Sequence, residues 1–162
     1  MKKLFLLAIG ATFCSIVSTY ATPKTLWLIG DAAMAHYTDS TLAYGWGTAF
    51  EQYVNNRIDI VNMAGPSISA TFFDDNNTIK KIEELQKKSY ILIQLGTNDL
   101  REDIPSQYSS SETFALRLNK IISTAHKNKI NIILCTPLAQ PYYKDGLLIN
   151  RLGAYPDIIR RV

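Results

Sequence analysis

The 162-residue sequence contains little cysteine and little histidine, with two residues of each type. Cys14 lies in an apolar stretch near the amino terminus, so Cys135 is the only thiol in the rest of the chain. A lone thiol excludes an intrachain disulfide there, and it excludes the paired-cysteine ligand sets of structural zinc sites. We therefore predict no metal site and no cofactor. Because Cys135 stands in the apolar run NIILCTP, we predict that it is a small buried core residue.

The chain also carries little net charge, because its 17 Lys and Arg residues are nearly balanced by 14 Asp and Glu residues. No basic stripe is present, and we expect no nucleic-acid partner. Neither a Walker A motif nor a Gly-x-Gly-x-x-Gly motif occurs, so nothing indicates nucleotide binding. A composition of 47% hydrophobic and 19% charged residues is typical of a single globular domain.

No apolar run reaches the roughly 20 residues that a membrane-spanning helix needs. The longest covers residues 4–17, follows Lys2 and Lys3, and precedes small residues that end at Ala21. This arrangement is typical of a secretory signal peptide, and a short membrane anchor is the alternative. We predict a signal peptide over residues 1–21, whose removal lowers the basic count from 17 to 15. The remaining chain is then expected to be secreted or periplasmic, without membrane contact.

Residues 22–162 form one predicted domain in which strand-like runs alternate with helical patterns. Continuous apolar runs predict strands at 25–29, 57–62, 89–95 and 130–135. Apolar side chains at helical spacing predict helices at 46–53, 78–88, 111–127 and 154–162, the third opened by a capping box of Ser109 and Glu112. Short connections between them favour a doubly wound, flavodoxin-like parallel sheet in a three-layer α/β/α arrangement. Ligands in such sheets bind at the carboxyl ends of the strands.

The last helical pattern carries an apolar stripe that ends with the chain at Val162. A helix this short is only marginally stable alone, and its apolar stripe needs a further element to pack against. We interpret the domain as truncated before its last strand and helix. The strand at 130–135 is then expected to be an exposed edge.

Four short motifs lie at the predicted strand ends and helix starts. They are GDAAMA (30–35), GWG (45–47), NMAGPS (62–67) and GTND (96–99). In this order they resemble the SGNH, or GDSL, hydrolase superfamily, and most closely its rhamnogalacturonan acetylesterase-like branch. The later DGLLINRLGAYPDIIRRV is similar to the same branch, and DG there also predicts a hairpin turn.

The resemblance implies roles for particular positions of this sequence. The family's serine nucleophile corresponds to Ala32, which has no oxygen with which to attack an ester. The Ala32 backbone N–H, Gly65 and Asn98 correspond to the oxyanion-hole donors, which commonly supply the largest catalytic contribution. Asp31 and Asp99 correspond to carboxylates that order the loops by hydrogen bonding. The family's carboxy-terminal Asp-x-x-His motif has no counterpart in the sequence.

Other side chains of the sequence have a possible chemical role and a structural alternative. A catalytic base needs an orienting partner, which the sequence shows for neither histidine. Loop hydroxyls more often satisfy turn backbone than act as nucleophiles. Aromatic residues near the first motif either stack on a sugar or belong to the core. The histidines are His36 and His126, the loop hydroxyls are those of Ser67, Ser69 and Thr97, and the aromatic residues are Tyr37 and Trp46.

The resemblance therefore implies hydrolysis of ester groups on polysaccharide, with acetylated polysaccharide or another small ester as the partner. Ala32 indicates that this chain is catalytically impaired or inactive. The alternative is a non-catalytic remnant or carbohydrate-binding protein that keeps the old cleft.

Overall fold

Four apolar runs of the sequence form one parallel sheet. The computed structural model describes residues 24–37, 45–54, 57–85, 87–139 and 141–162. Its sheet strands are β1 (Lys24–Gly30), β2 (Ile58–Asn62), β3 (Tyr90–Gln94) and β4 (Asn131–Cys135). They pair in parallel in the order β2-β1-β3-β4, with Leu28 opposite both Asn62 and Leu92. The chain thus adds strands first on one side of β1 and then on the other, which places a topological switch point between β1 and β3.

Helices cover both faces of this sheet. On one face α1 (Trp46–Glu51) packs through Trp46 and Phe50 against the side chains of Leu26 and Leu28. The opposite face is covered by α2 (Asn76–Glu83), α3 (Ser111–Lys127) and α4 (Tyr155–Arg161), together with a short 3₁₀ helix at Ala70–Asp74. The second 3₁₀ helix, Asn98–Leu100, follows β3. The predicted doubly wound α/β fold is confirmed.

The larger hydrophobic core lies on the face that carries three α-helices. Phe73, Ile82, Phe114 and Ile121 are fully buried there, and Tyr155 from α4 packs on the Phe114 ring with centroids 4.8 Å apart. Burial of large apolar side chains is worth about 1.5–3 kcal/mol each. This core fixes the relative positions of β1 and β3, and therefore of the loops that follow them.

The predicted bounds differ most from the structure at α2, and the predicted cap of α3 also differs, whereas the other bounds differ by at most two residues. The helix predicted over 78–88 runs from Asn76 to Glu83. Asp75 caps its start, and Lys88, with a positive φ of 69°, cannot belong to a helix. The predicted capping box of Ser109 and Glu112 is wrong by one residue. Ser110 caps α3 by accepting a hydrogen bond from the Thr113 N–H.

The remaining predictions on local structure have mixed outcomes. A two-residue turn of Asp145 and Gly146, both at positive φ, joins β5 (Tyr143–Lys144) to β6 (Leu147–Leu148), which confirms the predicted hairpin. Cys135 is half-buried rather than buried, and partial burial raises the pKa of its thiol. The predicted signal peptide lies outside the described residues. No helix in the described ranges is long and apolar enough to cross a membrane.

Candidate functional site

A cavity of about 740 Å³ opens at the carboxyl ends of β1 and β3. Its walls come from the loops after these two strands, from the segment after β4 and from the segment after β6. The lining residues are Asp31, Ala32, Ala33, Thr97, Asn98, Leu100, Arg101, Asp103, Leu138, Arg151 and Leu152. The cavity therefore lies at the topological switch point, where open α/β sheets bind their ligands.

The loop after β1 presents residue 32 to this cavity. Asp31 is buried, and its Oδ1 accepts a hydrogen bond from the Ala33 N–H at 2.9 Å, which forms a tight turn around Ala32. Tyr37 donates its hydroxyl to the Ala32 carbonyl at 3.1 Å. Ala32 itself is exposed, and its N–H has no hydrogen-bond partner among the described residues. The loop is ordered, and at its apex it offers the cavity a methyl group and a backbone donor.

The GWG motif packs against this loop from α1. A Cβ added to Gly45 would lie 2.1 Å from the Ala35 carbonyl oxygen, so only glycine allows the two backbones to approach this closely. The Trp46 N–H donates to the Ala33 carbonyl at 2.8 Å. The Trp46 ring meets Phe50 edge to face and donates its Nε1–H to Gln94, so Trp46 belongs to the core rather than to a sugar-stacking surface.

The second loop is held by backbone and side-chain hydrogen bonds together. The Gly65 N–H donates to the Gly30 carbonyl at 3.0 Å, continuing the ladder beyond β1 and β2. The Asn98 side-chain amide donates to the carbonyls of Pro66 at 2.9 Å and Ile68 at 2.8 Å. Two of the three predicted oxyanion donors, Gly65 and Asn98, are thus engaged in fastening loops to each other.

The turn between Gly65 and Ile68 contains a backbone donor other than the Gly65 N–H. Ile68 donates its N–H to the Gly65 carbonyl at 3.1 Å, which closes a turn with Pro66 and Ser67 at its centre. The Ser67 N–H has no hydrogen-bond partner within the part of the chain that the structure describes. The oxyanion role of Gly65 and Asn98 stays a prediction, and neither Gly65 nor Ser67 lines the cavity.

Asp99 is fully buried and connects three segments. Its carboxylate accepts hydrogen bonds from the Ala70 N–H at 2.9 Å, the Gly96 N–H at 3.1 Å and the Ser109 hydroxyl at 2.6 Å. Burial raises the pKa of this carboxyl above its ordinary value, and these hydrogen bonds act in the opposite direction. The hydroxyl of Tyr155 donates to the Ser109 carbonyl and adds α4 to the cluster. Asp99 does not line the cavity, whereas Asp31 does.

Neither histidine reaches the cavity. His36 is exposed and pairs with the Thr48 hydroxyl at 3.1 Å, and His126 is exposed in the last turn of α3. Of the loop hydroxyls that the sequence singles out, Ser69 caps the first 3₁₀ helix and only Thr97 lines the cavity. In the described ranges, no three His, Cys, Asp or Glu side chains are grouped so that they could hold a metal ion.

Sequence reasoning missed two residues of this region. Asn62 lies in the quoted NMAGPS motif and bridges the first two loops, with its Nδ2 donating to the Met34 carbonyl at 3.2 Å and its Oδ1 accepting from Ala64. Its place at the end of β2 was the available signal. Arg151 reaches the cavity from beyond the hairpin. No local pattern in the sequence brings a residue so distant in the chain to the Ala32 loop.

Comparison with known proteins places these loops in a family. The chain is 26% identical over 132 residues to the probable rhamnogalacturonan acetylesterase YesY of Bacillus subtilis, covering 80% of this chain and 61% of YesY. It is 25% identical over 142 residues to the rhamnogalacturonan acetylesterase RhgT of the same organism, covering 85% and 60% respectively. The chain therefore spans about three fifths of the length of these curated relatives.

Solved structures agree in fold. Protein YXIM of Bacillus subtilis superimposes with a TM-score of 0.72 at 23% identity, over 86% of this chain and 40% of that one. The acetylxylan esterase Axe2 of Geobacillus stearothermophilus gives a TM-score of 0.59 at 17% identity, over 85% and 70%. The family model described as GDSL-like lipase/acylhydrolase matches residues 26–158. The protein thus belongs to the GDSL-like lipase/acylhydrolase family.

Proposed function

We propose that this chain binds acetylated polysaccharide in the cavity beside Ala32 and that its capacity for ester hydrolysis is impaired. Family membership and the names of its relatives, two rhamnogalacturonan acetylesterases and an acetylxylan esterase, support the ligand class. The observation that carries the impairment is the methyl group of Ala32 at the apex of the first loop. Export directed by residues 1–21 is part of this proposal, because it would bring the protein to polysaccharide outside the cell.

The chemistry of acyl transfer explains why this methyl group matters. A serine hydroxyl attacks the ester carbonyl only when a nearby base takes its proton. Ala32 provides no oxygen, and neither histidine of the chain lines the cavity. Loss of the nucleophile in a serine hydrolase lowers kcat by about 10⁶-fold.

The test is an esterase assay on the whole chain, with p-nitrophenyl acetate and an acetylated polysaccharide as substrates. We expect acetate release within about tenfold of buffer, because Ala32 cannot form an acyl-enzyme. Ala32→Ser is also expected to remain low, since a serine there has no histidine beside it. Asn98→Ala serves as the control for turnover in this cavity. Strong release by the unmodified chain that Asn98→Ala abolishes would contradict the proposed impairment.

Binding is measured separately, by retardation of the chain in gels that contain acetylated polysaccharide. Retardation by the acetylated polymer is the expected result. An unchanged mobility in all such polymers would contradict the ligand-binding half of the proposal.

A further inference from the structure

Two cavities meet at the segment that follows β6. The cavity beside Ala32 shares Arg151 and Leu152 with a second cavity of about 370 Å³. The walls of the second cavity come from Tyr143 and Leu148 of the β5–β6 hairpin and from the segments on either side of this hairpin. A ligand longer than a single sugar unit could therefore extend from the Ala32 loop along the hairpin, past Arg151.

The backbone around Arg151 is fixed on both sides. Before it, the Ile149 N–H donates to the Tyr142 carbonyl at 2.8 Å and continues the hairpin by one more rung. Around it, the Asn150 side chain accepts the Leu152 N–H at 3.0 Å. Leu152 is itself buried, which anchors the segment in the protein. Arg151 is thus presented from an ordered turn, so little chain entropy is lost when its side chain binds a ligand.

The guanidinium of Arg151 is held in place, and among the described residues it has no acidic partner. It lies over the Tyr142 ring at 4.8 Å from the centroid, a cation–π contact that restricts its orientation. Within the described ranges no carboxylate forms an ion pair with it. The other arginine of the cavity, Arg101, is neutralised by two hydrogen bonds to Asp103, at 2.8 and 2.7 Å. Arg151 is therefore the cation of this cavity that can still pair with a ligand.

We propose that Arg151, stacked on Tyr142, binds the carboxylate of a uronic acid unit in an acidic polysaccharide that lies across the two cavities. This proposal rests on the proposed function, because it assigns a substrate class to the same cleft. A planar guanidinium matches a carboxylate through two parallel hydrogen bonds, a geometry that lysine cannot reproduce. The acidic sugar unit is placed at the hairpin end of the cleft, since Asp31 carries a carboxylate beside Ala32.

Affinity for two probes tests this assignment: an acetylated oligogalacturonate and an acetylated xylo-oligosaccharide of similar length, the second being neutral. We expect Arg151→Gln to weaken binding of the acidic probe by about tenfold, the usual effect of losing one charge-assisted hydrogen bond. Binding of the neutral probe should change by less than about twofold. Arg151→Lys should recover only part of the affinity, and binding of the acidic probe to the unmodified chain should weaken as salt is raised.

Arg161→Gln is the matched control, because Arg161 lies at the end of α4 outside both cavities and its loss changes the net charge equally. If Arg161→Gln weakened binding of the acidic probe as much as Arg151→Gln does, the net charge of the protein rather than the Arg151 site would be responsible, and the inference would be overturned. Equal affinity of Arg151→Gln and the unmodified chain for the acidic probe would overturn it as well, while binding of the acetylated probes would leave the proposed function intact. If neither probe bound the unmodified chain, both proposals would fail.

Discussion

Single buried polar residues hold the loops of this protein in place. Asp99 contributes one carboxylate that accepts hydrogen bonds from Ala70, Gly96 and Ser109 and so ties three segments together. Asn98, its half-buried neighbour, fastens the turn at Pro66 by donating its side-chain amide to the Pro66 carbonyl. Buried polar groups stabilise a fold only when they are hydrogen-bonded, and the Asp99 carboxylate meets that condition. Asn98 and Asp99 of the GTND motif therefore have a structural role in addition to any catalytic one.

Tyr155 provides a pH test of this buried cluster. Its hydroxyl donates to the Ser109 carbonyl, and burial, reinforced by the nearby Asp99 charge, raises the pKa of the phenol from 10.0 to about 12. Because the folded state keeps the neutral phenol, the stability that Tyr155 contributes is fully present below about pH 10 and is lost as the pH rises toward about 12.

The measurement compares the free energy of unfolding of the unmodified chain and Tyr155→Phe in urea, at about pH 9 and about pH 11.5. At the lower pH the unmodified chain should be more stable by about 1 kcal/mol, the net worth of one hydrogen bond. The difference should shrink at the higher pH. A difference that stays constant across this range would contradict the assignment.

At the scale of elements, the first loop depends on α1 as much as on its own sequence. Gly45 lets α1 begin directly against the backbone of Met34 and Ala35, and the Trp46 N–H ties the two segments together. The GWG motif is thus explained by backbone contact. Its tryptophan packs in the core instead of facing the cavity, as its helical spacing with Phe50 predicts.

Gly45→Ala should therefore destabilise the protein. The added Cβ would overlap the Ala35 carbonyl, and overpacking of this kind costs about 1–3 kcal/mol. Gly65→Ala is the matched control, because a Cβ there meets only Ile68 at 3.4 Å. Thermal unfolding followed by circular dichroism compares the two. Equal melting temperatures for Gly45→Ala and Gly65→Ala would show that the close approach is unimportant.

For the whole molecule, the sheet leaves β4 at an edge of the described strands, opposite β2. Ile133 of β4 is 44% exposed, and an apolar edge strand is a site for pairing with another chain. We expect the protein to self-associate at high concentration and Ile133→Lys to reduce this association. Leu116→Lys, which adds the same charge to an exposed position of α3, should have a smaller effect. Sedimentation velocity measures both, and equal effects of the two variants would rule out pairing at this edge.

The sequence allowed the sheet and the loop positions to be predicted, because strands such as β1 and β3 are continuous apolar runs that end at glycine or polar motifs. The predicted cap of α3 was wrong by one residue, because Ser109 and Ser110 look alike in the local sequence. Only the hydrogen bond to the buried Asp99 decides that Ser109 turns inward and that Ser110 caps the helix. The engagement of Gly65 and Asn98 by other loops depends on tertiary contacts, as does the arrival of Arg151 at the cavity. Periodicity carries no information about such contacts.

The most direct test of the account is the amount of acetate that the unmodified chain releases from an acetylated polysaccharide. The chain belongs to the GDSL-like lipase/acylhydrolase family and its loop after β1 is ordered, yet the apex of that loop is Ala32, which cannot become acylated. We expect acetate release close to that of buffer, while the same polymer still retards the chain in a gel. Rapid release that is lost in Asn98→Ala would contradict it and would show that another group attacks the ester in this cavity.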